Sequence, residues 1–399
     1  MDKICEQIRE RVLERIDWSK ESDDDIIRQL ISEELSSMVA WEKISLKERI
    51  LLEQRVYNSL RKLDILQNLI EDEEVTEIMV NGHKKIFYEK YGEVFEYPYH
   101  FSSEEKLQDV IQQIVGRNNR VVNLGSPIVD TRLEDGSRVN IVLSPISMDG
   151  SAISIRKFPK KPLDMNHLIA LGTITEDAAH FLKSLVRAGY NIFISGGTSS
   201  GKTTFLNALS AYIPQTERII TIEDSAELQL LNRKNLIRLE TRNANMEGVK
   251  PISVRQLIHT ALRMNPDRII VGECRGTEAI DMLQAMNTGH DGSLSTGHAN
   301  STSDMIKRLE TMVLMGTDIP LPAIRQQIAS AIDIFIHLGK TRDKKRKVLE
   351  IAEVAGIEDG EISLHILYKE DGSLVKTGEL SRTYKLNRSE KEYGEINEL

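Results

Sequence analysis

The sequence predicts an α/β protein in three parts: an N-terminal helical module, a small α/β domain, and a larger domain built on an open, mainly parallel sheet. Three observations carry this. From about residue 165 short apolar runs alternate with amphipathic segments, the pattern of buried strands and covering helices. One of those runs leads into a glycine-rich turn and then a helix-forming segment, at residues 191–212. Ahead of them the periodicity changes, from helical spacing over residues 1–62 to short strand-like runs over 64–157.

In the first part, Ile26, Ile27, Leu30, Ile31, Leu35 and Met38 recur close to the helical period, as do Ile50, Leu51, Val56, Leu60 and Leu63. With residues 2–17 they predict three helices. In the second part, residues 75–80, 85–89 and 94–97 read as strands, separated by the turn signals Asn81-Gly82 and Tyr91-Gly92. Residues 104–115 form an amphipathic helix pattern. Residues 129–133 and 138–143 flank Asp135-Gly136, a hairpin signal, and 152–157 make a further strand. Residues 158–164 (F-P-K-K-P-L-D), with two prolines, read as a linker.

In the third part, helices are expected at 175–188, 277–286 and 303–315, and buried strands at 191–195, 218–222, 268–271 and 293–296. In a sheet of this kind ligands sit at the carboxyl ends of the strands. Residues 348–376 read as a small β-rich addition, with turns at Asp359-Gly360 and Asp371-Gly372, and residues 386–399 as a polar tail.

Composition narrows the function. A net charge of −9 argues against a broadly basic nucleic-acid-binding surface. No apolar run is long enough to span a membrane and the N-terminus does not read as a secretory signal, so a cytoplasmic protein is expected. The two cysteines, Cys5 and Cys274, are too few for a four-cysteine zinc site and read as packing thiols.

Residues 196–203 (G-G-T-S-S-G-K-T) fit G-x-x-x-x-G-K-[ST], the phosphate-binding P-loop, in the strand–turn–helix context that its chemistry requires. The backbone N–H groups of Gly197, Thr198, Ser199, Ser200 and Gly201 can form an anion nest at a helix N-terminus. Lys202 reaches the β- and γ-phosphates, the Thr203 hydroxyl ligates Mg²⁺, and Thr204 continues the helix. Three clusters follow. Thr221-Ile222-Glu223-Asp224 puts two carboxylates at a strand end, where Glu223 and Asp224 can hold Mg²⁺ and orient water. Arg268-Ile269-Ile270-Val271-Gly272-Glu273 has the Walker B form, with Gly272 where aspartate is usual and Glu273 as the terminal acid, placed to accept a proton from or orient a water. Arg275 reads equally as a structural partner of Glu273 or as a catalytic group. The third, T-G-H-D-G-S-L-S-T-G-H-A-N over residues 288–300, places His290 and His298 around a short strand, as sensors of the γ-phosphate or of the catalytic acids.

Taken in this order, the four boxes resemble the bacterial secretion and type IV pilus ATPases, and among these the CpaF-type ATPases of the Tad (tight adherence, Flp pilus) system. The resemblance covers roughly residues 65–340 and includes V-T-E-I-M-V-N-G (75–82), S-P-I-V-D-T-R-L-E-D-G-S-R-V-N (126–140), I-R-K-F (155–158) and L-R-M-N-P-D (262–267). It implies a RecA-like P-loop NTPase domain over 165–385 behind an N-terminal α/β (PAS-like) domain. It also implies Mg²⁺-dependent ATP hydrolysis between subunits of a homo-hexamer. Arg132, Arg138 and Arg156 match positions that supply nucleotide contacts, and Arg255 and Arg263 are candidates for contacts between subunits. The partner implied is an inner-membrane platform protein, with the ATPase cytoplasmic and held peripherally at the membrane through it. Ser199-Ser200 departs from the commoner Gly-Ser. Type IV secretion ATPases and other type II or archaeal filament motors share much of the pattern. A RecA-like nucleic-acid motor predicts a basic, aromatic channel, against which stand the acidic balance and 5% aromatic content.

Overall fold

The computed structural model describes residues 2–16, 23–37, 45–117, 120–158, 162–242, 250–341, 343 and 345–393. The chain divides into two compact units, Met1–Lys160 and Lys161–Leu399.

The N-terminal unit begins with α1 (Asp2–Arg15), α2 (Asp24–Ser37) and α3 (Leu46–Arg61). Ser45 and Glu48 cap α3 reciprocally, which satisfies backbone donors left over at its first turn. Ile8, Val12, Ile27, Ile31, Leu35, Leu52 and Val56 share one core. Ile26 and Ile50, also in the apolar pattern, are 52% and 57% exposed, since each helix presents only one stripe to its neighbours. Met38 lies outside the described residues.

After the short helix α4 (Gln67–Glu71) come β1 (Val75–Asn81), β2 (Lys85–Lys90), β3 (Glu93–Glu96), α5 (Glu104–Gly116), β4 (Ile128–Arg132), β5 (Arg138–Val142) and β6 (Ala152–Arg156). The strands form one antiparallel sheet in the order β3-β2-β1-β6-β5-β4. Alternate residues Ile78, Val80, Val139, Ile141, Ile153 and Ile155 face the apolar stripe Leu107, Val110, Ile111 and Ile114 of α5.

The C-terminal unit carries α6 (Met165–Ala170), α7 (Glu176–Arg187), β7 (Ile192–Gly196), α8 (Lys202–Ser210), β8 (Ile219–Glu223), β9 (Leu236–Glu240), α9 (Val254–Ala261), β10 (Arg268–Val271), α10 (Ala279–Asn287) and β11 (Leu294–His298). Then follow α11 (Thr302–Leu314), α12 (Leu321–Ala331), β12 (Ile334–Lys340), β13 (Arg346–Glu358), β14 (Glu361–Asp371), β15 (Ser373–Lys376) and α13 (Tyr384–Tyr393). Nine strands make one sheet in the order β15-β14-β13-β12-β7-β11-β10-β8-β9. The six from β12 to β9 are parallel. Strand residues alternate between two cores: Ile192 and Ile194 of β7 face α6, α7 and α8, while Phe193 faces the side of α9 to α12. A strand buried on both faces has to be apolar throughout, which is why these runs lack polar alternation.

The β-rich segment expected over residues 348–376 is present as β13 to β15, and β13 pairs with β12 and carries the same sheet onward in antiparallel sense. One feature differs from expectation. The segment expected as a polar tail from residue 386 is helical as far as Tyr393. Its Lys385 is buried and donates to Asp333 Oδ2 (2.7 Å) and the Gly189 carbonyl (3.0 Å), with Asp291 Oδ1 at 2.8 Å. A buried lysine between two carboxylates thus anchors this mostly polar helix, with Leu386 packed against the core beside it. Residues 159–161 of the expected linker and residues 394–399 lie outside the described residues.

Candidate functional site

The P-loop leaves the carboxyl end of β7, a central strand with parallel neighbours on both sides. Gly196 cannot carry a side chain, because a Cβ there would collide with the Leu338 carbonyl oxygen and lie 2.6 Å from Ser200 Oγ. Gly201 has φ +94° and Ser199 φ +56°. Ser199 therefore adopts the left-handed conformation that glycine favours, at a cost of about 1 kcal/mol. This is the physical content of the departure from Gly-Ser. Ser200 is buried and its hydroxyl makes no hydrogen bond. Thr203 and Thr204 lie in the first turn of α8, both partly exposed. Lys202, at the head of α8 and only 7% exposed, donates from Nζ to the carbonyls of Gly196 (3.2 Å) and Gly197 (3.0 Å).

The acids stand on the neighbouring strands. Glu223 ends β8 and is 3% exposed. Its Oε1 accepts from the amides of Glu227 (2.8 Å) and Leu228 (2.9 Å), while its Oε2 has no hydrogen-bond partner. Burial raises its pKa, and the two amides pull against that shift. Gly272 follows β10, and a Cβ there would lie 2.8 Å from Glu223 Cγ. The space that a usual Walker B aspartate would fill is therefore taken by the carboxylate-bearing side chain of the next strand. Glu273 Oε2 accepts from Arg275 Nη2 (2.7 Å), and Arg275 Nη1 reaches Asp224 Oδ2 at 3.4 Å. One guanidinium therefore bridges the two acidic boxes.

His298 ends β11 between lysine and acid. Lys202 Nζ is 3.2 Å from its Nδ1, and Glu273 Oε1 is 2.8 Å from its Nε2. An ammonium can only donate, so Nδ1 accepts and the imidazole proton sits on Nε2, toward Glu273. The Nε2–Oε1 contact is not aligned as a hydrogen bond, and Glu273 Oε1 remains a buried acceptor without a donor. Burial lowers the His298 pKa, and Lys202, Arg275 and Arg308 add to this against the opposing pull of Glu273. These effects favour the neutral ring, the form that accepts from Lys202. Protonation would remove the acceptor that faces Lys202, so turnover is expected to fall as pH drops below the ordinary imidazole value. Measured kcat against pH should show this acid limb in the wild type and a flattened limb in His298→Gln, whose amide imitates the neutral ring. A limb that persists unchanged in the variant would exclude His298 as its source.

The structure does not bring His290 to this place. It precedes β11, at the amino end of the sheet, with Nδ1 3.1 Å from the Ala285 carbonyl. His298 is the last residue of β11, so the strand from Leu294, roughly 13 Å long, lies between the two. Spacing in the sequence pairs the two histidines, but a strand between them sends them to opposite ends.

An open cleft of about 440 Å³ lies over Gly197 and Thr198, with His298, Asn300, Lys307 and Arg308 on its far side. Its α11 residues carried no motif in the sequence. Two further residues escaped sequence reasoning. His337 of β12 is buried beside the P-loop root, its Nδ1 2.8 Å from Ser195 Oγ. Arg346, the first residue of β13, donates from Nε to the Ser199 carbonyl (3.1 Å). Nothing local marks either; the order of strands in the sheet brings them in.

The site is suited to Mg²⁺. Among the described residues no three His, Cys, Asp or Glu side chains form a closed metal cage. Mg²⁺ bound with phosphates keeps much of its water and needs only one or two protein oxygens. Glu223 Oε2, buried without a partner, and the Thr203 hydroxyl are such oxygens. Asp224 is more exposed and engaged with Arg275.

Arg255 and His259 of α9 both hold the buried Asp281 of α10, at 2.8 and 2.6 Å, and Arg263 is exposed just beyond α9. In the N-terminal unit Arg132, Arg138 and Arg156 are direct cross-strand partners, one on each of β4, β5 and β6, with Glu77 of β1 beyond Arg156. Direct partners share a face, so the sheet lines up three guanidinium groups that the sequence scatters over 25 positions.

A P-loop at the carboxyl edge of a parallel sheet, opposed by Glu273 and His298, defines the class: a RecA-like P-loop domain of the α/β kind. Residues 59–373 match the family described as type II/IV secretion system protein, and the chain belongs to that family. It is 33% identical over 294 residues to a putative conjugal transfer protein of Mycobacterium tuberculosis, spanning 72% of this chain and 83% of that one. It is 30% identical over 295 residues to the probable conjugal transfer protein TrbB of Sinorhizobium fredii (73% and 86%). It is also 34% identical over 251 residues to the type IV secretion system protein PtlH of Bordetella pertussis (56% and 74%). The fold is shared with the pilus retraction motor PilT, solved with bound ADP, at a TM-score of 0.53 and 22% identity over 83% of this chain and 88% of that one. The Legionella pneumophila ATPase DotB gives the same TM-score and identity over 74% and 80%.

Proposed function

We propose that this protein is an Mg²⁺-dependent ATPase motor that works as a homo-hexamer on a bacterial envelope machine, the Tad/Flp pilus system first. The observation that carries the ATPase reading is the line Lys202–His298–Glu273, with an unpartnered carboxylate oxygen at its end and another on Glu223 beside it. The P-loop amides and Lys202 hold the phosphates. Lys202 releases the Gly196 and Gly197 carbonyls to do so. Arg275 holds Glu273 through Oε2, and Glu273 Oε1 accepts a proton from, or orients, the attacking water. His298 links the lysine that meets the phosphates to the acid that meets the water, so nucleotide state is felt at the catalytic carboxylate. Mg²⁺, when held by Thr203 and Glu223, neutralises charge on the β- and γ-phosphates.

The Tad assignment rests on the motifs of residues 75–82 and 126–140 and on the N-terminal helical module. A type IV secretion or conjugation motor is the second reading, favoured by what the relatives are named for. Under either reading the arginine row Arg132–Arg138–Arg156 meets nucleotide phosphates, and the hexamer docks from the cytoplasm on an inner-membrane platform protein rather than on nucleic acid. Among the described residues no helix is long and apolar enough to cross a membrane. Purified protein is expected to release phosphate from ATP only with Mg²⁺, to stop on adding EDTA, and to sediment as six copies. Cross-linking in isolated membranes should recover a multi-spanning platform protein, whose identity separates the two machines. Absence of Mg²⁺-dependent release would end the enzyme reading, and stimulation by single-stranded nucleic acid would favour a nucleic-acid motor instead.

A further inference from the structure

The acids and His298 all lie on one flank of the P-loop, since β11, β10 and β8 follow β7 in that direction. On the other flank stand β12 and β13. Leu338 of β12 is level with Gly196, so Gly339 and Lys340 run on past the carboxyl edge, and Arg346 is the cross-strand partner of Lys340. Lys340 and Arg346, at the facing ends of β12 and β13, therefore stand beside the P-loop. The sequence here, K-T-R-D-K-K-R-K over residues 340–347, is strongly basic. Arg346 leans back over the loop: its Nε donates to the Ser199 carbonyl, and its Cδ lies 3.4 Å from where a Cβ on Gly201 would stand. Apart from that one bond its guanidinium makes no hydrogen bond or ion pair among the described residues, and the side chain is exposed.

A nucleoside triphosphate with its γ-phosphate at Glu273 and His298 must send its α-phosphate and nucleoside toward the opposite flank. We infer that Arg346 is a nucleotide-binding residue on that flank, whose terminal nitrogens hold the α-phosphate. The inference rests on the reading of this site as a nucleotide site. Arginine suits the position because its planar fork can give Nε to the Ser199 carbonyl and keep both terminal nitrogens for an anion.

The test is calorimetric binding of ADP, GDP and a non-hydrolysable ATP analogue to the full chain. Arg346→Ala is expected to weaken all three by a similar factor, about tenfold, since the α-phosphate is common to them and carries no base information. Arg346→Lys keeps the charge without the fork and should lose about half as much on a logarithmic scale. Thermal melting without nucleotide should match wild type for both variants. Unchanged ADP affinity in Arg346→Ala overturns the inference, as does a loss confined to the ATP analogue or to one base, or a lowered melting temperature without nucleotide. Wild-type protein that binds none of the three rejects the nucleotide reading itself, a different result from wild-type binding that Arg346→Ala leaves intact.

Discussion

Glu273→Gln is expected to slow ATP hydrolysis by about 10²–10⁴-fold while leaving ATP binding close to wild type. Glutamine keeps the shape of the side chain, and its carbonyl can still face Arg275. What it loses is the negative charge and the basic oxygen that the structure leaves buried without a donor, Oε1. The phosphate-binding groups, Lys202 and the loop amides, stand on β7 and α8 and are untouched. The loss should therefore fall on kcat, with the affinity for ATP changing little. Single-turnover hydrolysis alongside calorimetric ATP binding separates the two. A variant that turns over within threefold of wild type would show that this carboxylate takes no part in the chemistry, and Glu223 would become the acid to test.

The largest effect on stability is expected from Lys385→Met. Burial opposes the ammonium, but the Asp333 and Asp291 carboxylates more than offset it and hold the lysine pKa above its usual value. Asp333 Oδ2 also accepts the Asn191 amide at 2.9 Å, and Arg382 Nη2 lies 3.5 Å from Oδ1. Methionine fills similar volume but leaves Asp333 buried without its main partner. Breaking such a pair costs about 3–5 kcal/mol. For a unit of this size that corresponds to a fall in melting temperature of roughly 10 °C. The elevated lysine pKa means this stabilisation is present at neutral pH and is lost only as pH rises through the folded-state value. Thermal and urea unfolding measure the loss, and a shift under about 2 °C would mean that α13 contributes little to the fold. The double variant Lys385→Met with Asp333→Leu removes the stranded charge and should recover much of it.

Much of the site was legible because its chemistry is local. A P-loop works through consecutive backbone amides, so residues 196–203 announce it. The same holds for β8 and β10, where an apolar strand leads into an acid at the carboxyl edge of the sheet, the position the proposed chemistry needs. His298 was legible on the same ground. The misjudged residues depend on what is distant in sequence. His290 resembles His298 in its Gly-His context, yet sheet polarity sends it to the other end of β11. Gly272 does stand where aspartate is usual, but that Glu223 of the neighbouring strand fills the space follows only from strand order. The helix at residues 384–393 reads as tail because its anchoring lysine meets Asp333 and Asp291, far upstream. Strands β9 and β12 were not foreseen, since short apolar runs inside a two-core domain do not reveal by period whether they are strand or helix.

By itself the sequence determined the α/β class, the phosphate-binding turn, the acids Glu223 and Glu273, and the alternation that makes two cores about one sheet. These follow from local pattern, because an apolar run, a glycine turn and a strand-end acid are each encoded within a few residues. Only the tertiary structure decided which groups meet. It set Lys202, His298 and Glu273 in one line, brought Arg275 between two acidic boxes, aligned Arg132, Arg138 and Arg156 across three strands, and carried Arg346 to the far flank of the loop. The physical reason is strand order. Parallel strands with long crossovers place side by side residues that lie tens of positions apart, and no local period records which strand will be the neighbour.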